Sequence, residues 1–285
     1  MTELDRGAAL EAIADEVRRC TSCRLHETRT LAVPGEGSPD TEVVFVGEGP
    51  GFNEDRQGRP FVGRAGALLG KFLGSLGWQR QDVFITNIVK CRPPDNRDPE
   101  PDEIAACAPY LRRQLEVLDP ALVVTLGRHS LGRFMPGERI SQAHGTTRPV
   151  DPATGAANAL AFALYHPAAA LRAPEIERTS YADVARVPAA LLDARARREA
   201  GAAPSPAPAT APAARPEIKP ELELNLTPEP APEPIAEASP PTAPVATVPE
   251  PAAAPPSEPP PDPFIDSLFL AATDPVAPDD QLTLF

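Results

Sequence analysis

The chain has 285 residues, of which 39 are proline and four are cysteine, and its formal net charge is −13. From Gly201 onward lie 23 of the prolines and 13 acidic against 2 basic residues, so residues 1–200 carry a net charge of only −2 and the overall acidity does not exclude a nucleic-acid partner for them. No apolar run approaches the roughly 18 residues of a membrane span, and the mixed, charged Met1–Arg19 segment excludes a secretory leader; the chain therefore reads as cytoplasmic, where four cysteines favour metal ligation over disulfides.

Ala9, Leu10, Ile13 and Val17 recur at helical spacing and predict an amphipathic helix over 8–18 that ends near Cys20. Val43-Val44-Phe45-Val46 is a buried strand broken by Gly47. Leu68, Leu69, Phe72, Leu73 and Leu76 share one face of the next helix, and Val83-Phe84-Ile85 forms a second strand. Pro101-Asp102-Glu103 suits a helix start, with Pro109 expected to break or restart that helix. A third strand, Leu122–Leu126, stops at Gly127; a fourth is expected at Leu160–Tyr165, and a last helix from about Tyr181 to Arg198.

Alternating strands and helices imply an α/β domain over residues 1–200, a central four-stranded, parallel-type sheet with helices on both faces. In such a sheet the functional loops sit at the carboxyl ends of the strands. Three conspicuous segments fall there: Gly47–Gly51, Asn87–Cys91 and His166–Arg172. Arg56, Arg59, Arg64, Lys71, Lys90, Arg92 and Arg172 lie near these segments and are candidates for a local basic face. Beyond Gly201 the Pro/Ala/Glu-rich composition with few aromatics predicts a disordered linker over 201–280.

The cysteines stand as Cys20-x2-Cys23, then Cys91 and Cys107. A CxxC pair plus two single cysteines makes a four-thiolate site that ties the first helix to the segment after the second strand; spacing alone leaves zinc and an iron–sulfur cluster both open. Gly47-Glu48-Gly49-Pro50-Gly51 follows a strand, so the backbone can approach a ligand closely and its amides can meet an anion. It is followed by Pro60-Phe61-Val62-Gly63, by Thr86-Asn87-x-Val89-Lys90-Cys91-Arg92-Pro93-Pro94 and by Tyr165-His166-Pro167.

In order and spacing these segments, with the four cysteines, closely resemble the iron–sulfur (family four) uracil-DNA glycosylases over about residues 15–195. The resemblance implies a three-layer glycosylase fold and a [4Fe-4S] cluster on Cys20, Cys23, Cys91 and Cys107. It further implies a monomeric enzyme, associated with the nucleoid, that flips uracil out of DNA and hydrolyses its glycosidic bond. Phe61 would stack on the extruded base, and the Asn87 amide, with one donor and one acceptor end, would pair with uracil O4 and N3–H, a pattern cytosine reverses. A wall near Glu54 would exclude the thymine methyl group.

Bond cleavage leaves positive charge on the sugar and negative charge on uracil, so catalysis should be electrostatic. The resemblance assigns His166 to uracil O2, with the backbone of Glu48, Gly49, Pro50 and Gly51 assisting, and Glu48 to the water or the cationic sugar. Related glycosylases carry an aspartate at the place of Gly49, so here the water lacks an obvious strong base. Arg64 is assigned to the DNA face, and Ala168–Arg172 resembles the loop that fills the vacated site, with Leu171 or Arg172 as the plug. A branch that crosslinks to uracil-DNA has a histidine in an inserted basic loop; Pro93–Asp98 has none, so turnover is expected.

The chain ends Gln281-Leu282-Thr283-Leu284-Phe285, which resembles the short peptides by which bacterial repair proteins dock on the sliding clamp, Gln281 hydrogen-bonding and Leu282, Leu284 and Phe285 filling pockets. Phe264–Phe269 has helical apolar spacing and is a second docking candidate of unknown partner. A non-catalytic, clamp-tethered DNA-binding adaptor on the same cluster fold is the alternative; Phe61, Asn87 and His166 argue for the enzyme, since an adaptor has no need of a base pocket.

Overall fold

Strand residues that alternate between two helical layers decide the architecture. In the computed structural model, which describes residues 2–201, the strands are β1 (Glu36–Gly37), β2 (Val43–Gly47), β3 (Phe84–Asn87), β4 (Leu122–Leu126), β5 (Thr147–Pro149) and β6 (Leu160–Leu164). The helices are α1 (Glu3–Arg19), α2 (Phe52–Gln57), α3 (Arg64–Ser75), α4 (Pro101–Leu118), α5 (Arg128–Phe134), α6 (Ile140–Ala143), α7 (Pro167–Ala170), α8 (Pro174–Val184) and α9 (Val187–Glu199). The expected linker, the Phe264–Phe269 segment and the terminal peptide lie outside the described residues.

The sheet order is β1-β3-β2-β4-β6-β5. Its four central strands are parallel, as expected, and two short antiparallel strands extend its edges. Val43 and Phe45 of β2, Leu122 and Val124 of β4 and Leu160 and Phe162 of β6 pack against α3, α8 and α9. The intervening Val44, Val46, Val123, Ala161 and Ala163 pack against α1, α4 and α5. Both faces are therefore buried, which is why the strands read as continuous apolar runs.

Two expectations are corrected. Pro109 neither breaks nor restarts α4, which runs from Pro101 to Leu118. Pro109 and Ala105, whose carbonyl loses its intrahelical donor, both face solvent, where water can replace the bond. The last helix is two helices: Pro188 occupies the first turn of α9, a position proline favours and one that restarts the chain after Val184.

β2 is followed by β3 on one side and, after α4, by β4 on the other. That reversal opens a crevice above the strand ends, which is where doubly wound sheets bind ligands.

Candidate functional site

The loops leaving β2, β3, β4 and β6 meet over this crevice and enclose a cleft of about 700 Å³. Every residue expected to meet the base lines it: Glu48, Gly49, Pro50, Gly51, Phe61, Asn87 and His166. Arg172 lines it as well, while Leu171 and Arg64 are exposed next to cleft-lining Arg172 and Ala65 in sequence.

Phe61 is buried and has a φ of 52°, the left-handed region that costs a bulky residue about 1–3 kcal/mol. Two ionic clamps hold it there. Arg80 Nη1 donates to the Phe61 carbonyl (3.1 Å) and Nη2 to the Pro60 carbonyl (2.6 Å), with Glu36 pairing the same guanidinium at 2.7 Å. Glu54 Oε1 accepts from the Val62 and Gly63 amides at 2.9 and 2.8 Å, so its carboxylate latches the Phe61 turn to the start of α3. A Cβ on Gly47 would stand 2.4 Å from Asn87 Oδ1 and 2.6 Å from Phe61 Cζ, so only glycine lets the two side chains meet over β2.

Asn87 ends β3 and is buried, and its Oδ1 is, among the described residues, the only buried side-chain N or O atom without a hydrogen-bond partner. Such an acceptor costs about 1–3 kcal/mol and is kept where something else will satisfy it. Its backbone is anchored: Lys90 Nζ donates to the Asn87 carbonyl (2.9 Å), to Gln114 Oε1 (2.7 Å) and to Thr86 Oγ1. Lys90 is thus no part of a basic face. It is buried, with burial pushing its pKa down to about 8, and its three acceptors are what permit an ammonium there. Arg59 is likewise engaged, by Glu36.

His166 follows β6 and caps α7: the Ala168 amide donates to its Nδ1 at 3.1 Å. Burial, then the nearby Arg172 charge, push its pKa down to about 4, so the ring is neutral at ordinary pH. With Nδ1 accepting, the single proton sits on Nε2, and the ring has one donor left for the cleft. Its centroid is 5.7 Å from that of Phe61.

Glu48 Oε2 lies 3.7 Å from His129 Nε2, too far for a hydrogen bond, and His129 Nε2 lies 3.4 Å from Asp98 Oδ1, which Arg128 pairs in turn. Burial raises the Glu48 pKa above the ordinary carboxylate value; His129 and Arg128 oppose the rise and Asp98 adds to it. The sequence reading omits Asp98 and Arg128 and assigns His129 no role, because the groups come from the loop after β2, the segment before α4 and the start of α5. His144, also without an assigned role, bonds Asp183 at 2.7 Å and packs on Tyr165.

The four cysteines converge on a second, smaller pocket. Cys20 caps α1, Cys23 precedes a turn of 3₁₀ helix, Cys91 follows β3 and Cys107 lies on α4. Their sulfurs already receive donors: Arg29 Nη1 on Cys91 (3.0 Å), the Lys90 amide on Cys107 (3.2 Å) and the Ser22 amide on Cys20 (3.4 Å). Burial pushes the Cys107 thiol up to about 12, so near neutrality only a bound cation would make it a thiolate. Buried Glu103 joins the two sites: it pairs with Arg24, next to Cys23, at 2.9 Å and with cleft-lining Arg97 at 2.6 Å, from the helix that carries Cys107. Chiefly through Arg97, its pKa falls to about 2.

The sequence profile of the uracil DNA glycosylase superfamily matches residues 34–187. The chain is 49% identical to the type-4 uracil-DNA glycosylase of Saccharolobus solfataricus over 188 residues, 64% of this chain and 86% of that protein. It is 46% identical to the type-4 uracil-DNA glycosylase of Sulfurisphaera tokodaii over 190 residues, 63% and 83% of the two chains. With that of Thermotoga maritima it shares 49% identity over 146 residues, 51% of this chain and 76% of that protein.

Proposed function

The chain belongs to the type-4 uracil-DNA glycosylases of the uracil DNA glycosylase superfamily, and from that premise we propose how its own residues excise uracil. It is a hydrolytic DNA N-glycosylase of DNA repair, and the adaptor alternative is not favoured. The observation that carries the residue assignment is Asn87 Oδ1, a buried acceptor that nothing in the described fold satisfies. Uracil N3–H supplies the missing donor, while uracil O4 takes the amide's own hydrogens; cytosine N3 would face Oδ1 with a lone pair. Phe61, held by Arg80 and Glu54, is the stacking surface.

When the C1′–N1 bond breaks, its electron pair goes to uracil and the sugar becomes cationic. His166 donates from Nε2 to the charge growing on O2, as a neutral imidazole whose proton is fixed in place by the Ala168 amide. Glu48 faces the cationic sugar, and its carboxylate orients the water that adds to C1′ and accepts the proton that water sheds. The aspartate of related glycosylases has no room here, since a Cβ on Gly49 would stand 2.8 Å from Val89 Cγ2. Leu171, Arg172 and Arg64 hold the DNA around the gap.

Cys20, Cys23, Cys91 and Cys107 fit a [4Fe-4S] cluster: they offer four thiolates, with N–H donors already on three of the sulfurs. A cluster held there would brace α1, α4 and the loop after β3, and the hydrolysis needs no electron from it.

Incubation with a uracil-containing oligonucleotide and a thymine control, followed by alkali cleavage, tests the reading. Cutting at uracil alone, lost in Asn87→Ala, is the expected result; uracil-DNA that is bound and never cut would restore the adaptor. The terminal Gln281–Phe285 peptide is proposed to dock on the sliding clamp through a tether of about 80 residues, a reach of roughly 50 Å as a coil. Its deletion should abolish clamp binding and spare excision from short oligonucleotides, and clamp binding that survives the deletion disproves the assignment.

A further inference from the structure

Phe52 is 52% exposed and opens α2 directly after cleft-lining Gly51. A lone exposed aromatic needs no explanation, but this one carries two guanidinium groups. Arg56 Cζ lies 5.6 Å and Arg92 Cζ 5.3 Å from its ring centroid. Neither arginine has a carboxylate partner among the described residues, a state shared by others such as Arg64 and Arg172, whereas nearby Arg59 and Arg97 pair with Glu36 and Glu103; what sets these two apart is the ring they share. Arg92 is oriented further by a hydrogen bond from its Nε to Asn96 Oδ1 at 2.8 Å, which leaves its two terminal nitrogens without a partner among the described residues. An exposed cation–π contact is worth about 0.5–1 kcal/mol, enough to hold a guanidinium in place while keeping its charge and its fork of donors available.

We propose that Phe52, Arg56 and Arg92 form a phosphate-binding plate for the DNA strand beside the extruded nucleotide. Arg92 immediately precedes cleft-lining Pro93, so two loops bring the plate within one residue of the base pocket. Those loops follow β2 and β3, whereas Leu171 and Arg172 follow β6, toward the other end of the strand order. The two sets of contacts straddle the cleft, as a strand that enters and leaves an extruded nucleotide requires. Phe52 acts as a post that preorganises two bidentate phosphate donors.

This inference rests on DNA being the substrate, and its test is separate from excision. Binding of the full chain to a fluorescent thymine oligonucleotide, which is not cut, is followed against salt concentration for the wild type, Arg56→Gln, Arg92→Gln, the double variant and Phe52→Leu. Each arginine change should lower the slope of log K against log salt by about 0.7–0.9 and weaken uracil and thymine oligonucleotides by the same factor. Phe52→Leu should weaken binding while leaving most of the slope, and Arg112→Gln, which removes an equal charge from α4, should leave slope and affinity unchanged. An unaltered slope in the double variant overturns the plate, and so does a loss confined to Phe52→Leu, which would make the ring a base-stacking surface. If the wild type cuts uracil while the slopes stay put, this inference fails alone; if slopes fall and uracil is not cut, the plate stands and the excision reading falls.

Discussion

The base cleft and the cysteine site share the segment from Asn87 to Cys91, yet they are finished to different degrees. At the cysteines the available donors are spent: Arg29, Ser22 and the Lys90 amide all point at sulfur. In the cleft the key groups are positioned and left unspent, with Asn87 Oδ1 unpartnered among the described residues, Glu48 beyond hydrogen-bond reach of His129, and the proton of His166 directed by a bond on the opposite side of its ring. A region whose polar groups satisfy one another holds the fold together, whereas one that bears the cost of unpaired groups reserves them for a substrate.

Paired substitutions separate the two regions most sharply. Cys107→Ala should lower the melting temperature and excision together, because the brace on α4 is lost. His166→Ala should cut the single-turnover rate by about 10²–10³-fold with melting and DNA binding close to wild type. Equal losses of rate and binding in His166→Ala would remove its catalytic role and erase the contrast.

Glu103 offers a smaller, graded test because it belongs to both regions. Its carboxyl has an ordinary value of 4.5 and is depressed to about 2 in the fold, so the folded state binds fewer protons than the unfolded one. The stability this confers is complete above pH 4.5 and is lost as pH falls through about 2. Glu103→Gln should therefore lower the melting temperature at pH 7, by about 4 °C given that Arg24 and Arg97 are partly solvated, with the two proteins converging as the pH falls toward 2. A constant gap down to pH 2 would show that packing, and not charge, is what the residue contributes.

The smallest effect concerns the acid limb of activity. His166 stays neutral down to about pH 4, so on the proposed mechanism the limb belongs to Glu48, whose carboxylate is protonated as pH falls through its raised value. His129→Gln removes a group that lowers this value and should move the limb to higher pH, whereas Asp98→Asn removes one that raises it and should move the limb to lower pH. Shifts of the same sign would mean that Glu48 does not set the limb.

Much of this is legible in the sequence because apolar runs stop just before Gly47–Gly51, Asn87 and His166, which places all three at strand ends. β1 and β5 were not legible: they are two and three residues long, include Gly37 and Pro149, and exist only because a neighbouring strand pairs with them. Lys90 sits in a polar motif and reads as surface, and its burial depends on Gln114, 24 residues away. Likewise the surroundings of Glu48 are tertiary, with Asp98 from the segment before α4 and Arg128 and His129 from the start of α5, at spacings that carry no signal.

The bond from the Ala168 amide to His166 limits how this chain can vary. On the proposed mechanism position 168 acts through its backbone, so any side chain that keeps an amide hydrogen leaves the proton on Nε2. Proline alone lacks that hydrogen, so it is the one residue whose introduction at 168 removes the bond. Loss of that one backbone hydrogen would thus free the ring to place its proton on either nitrogen.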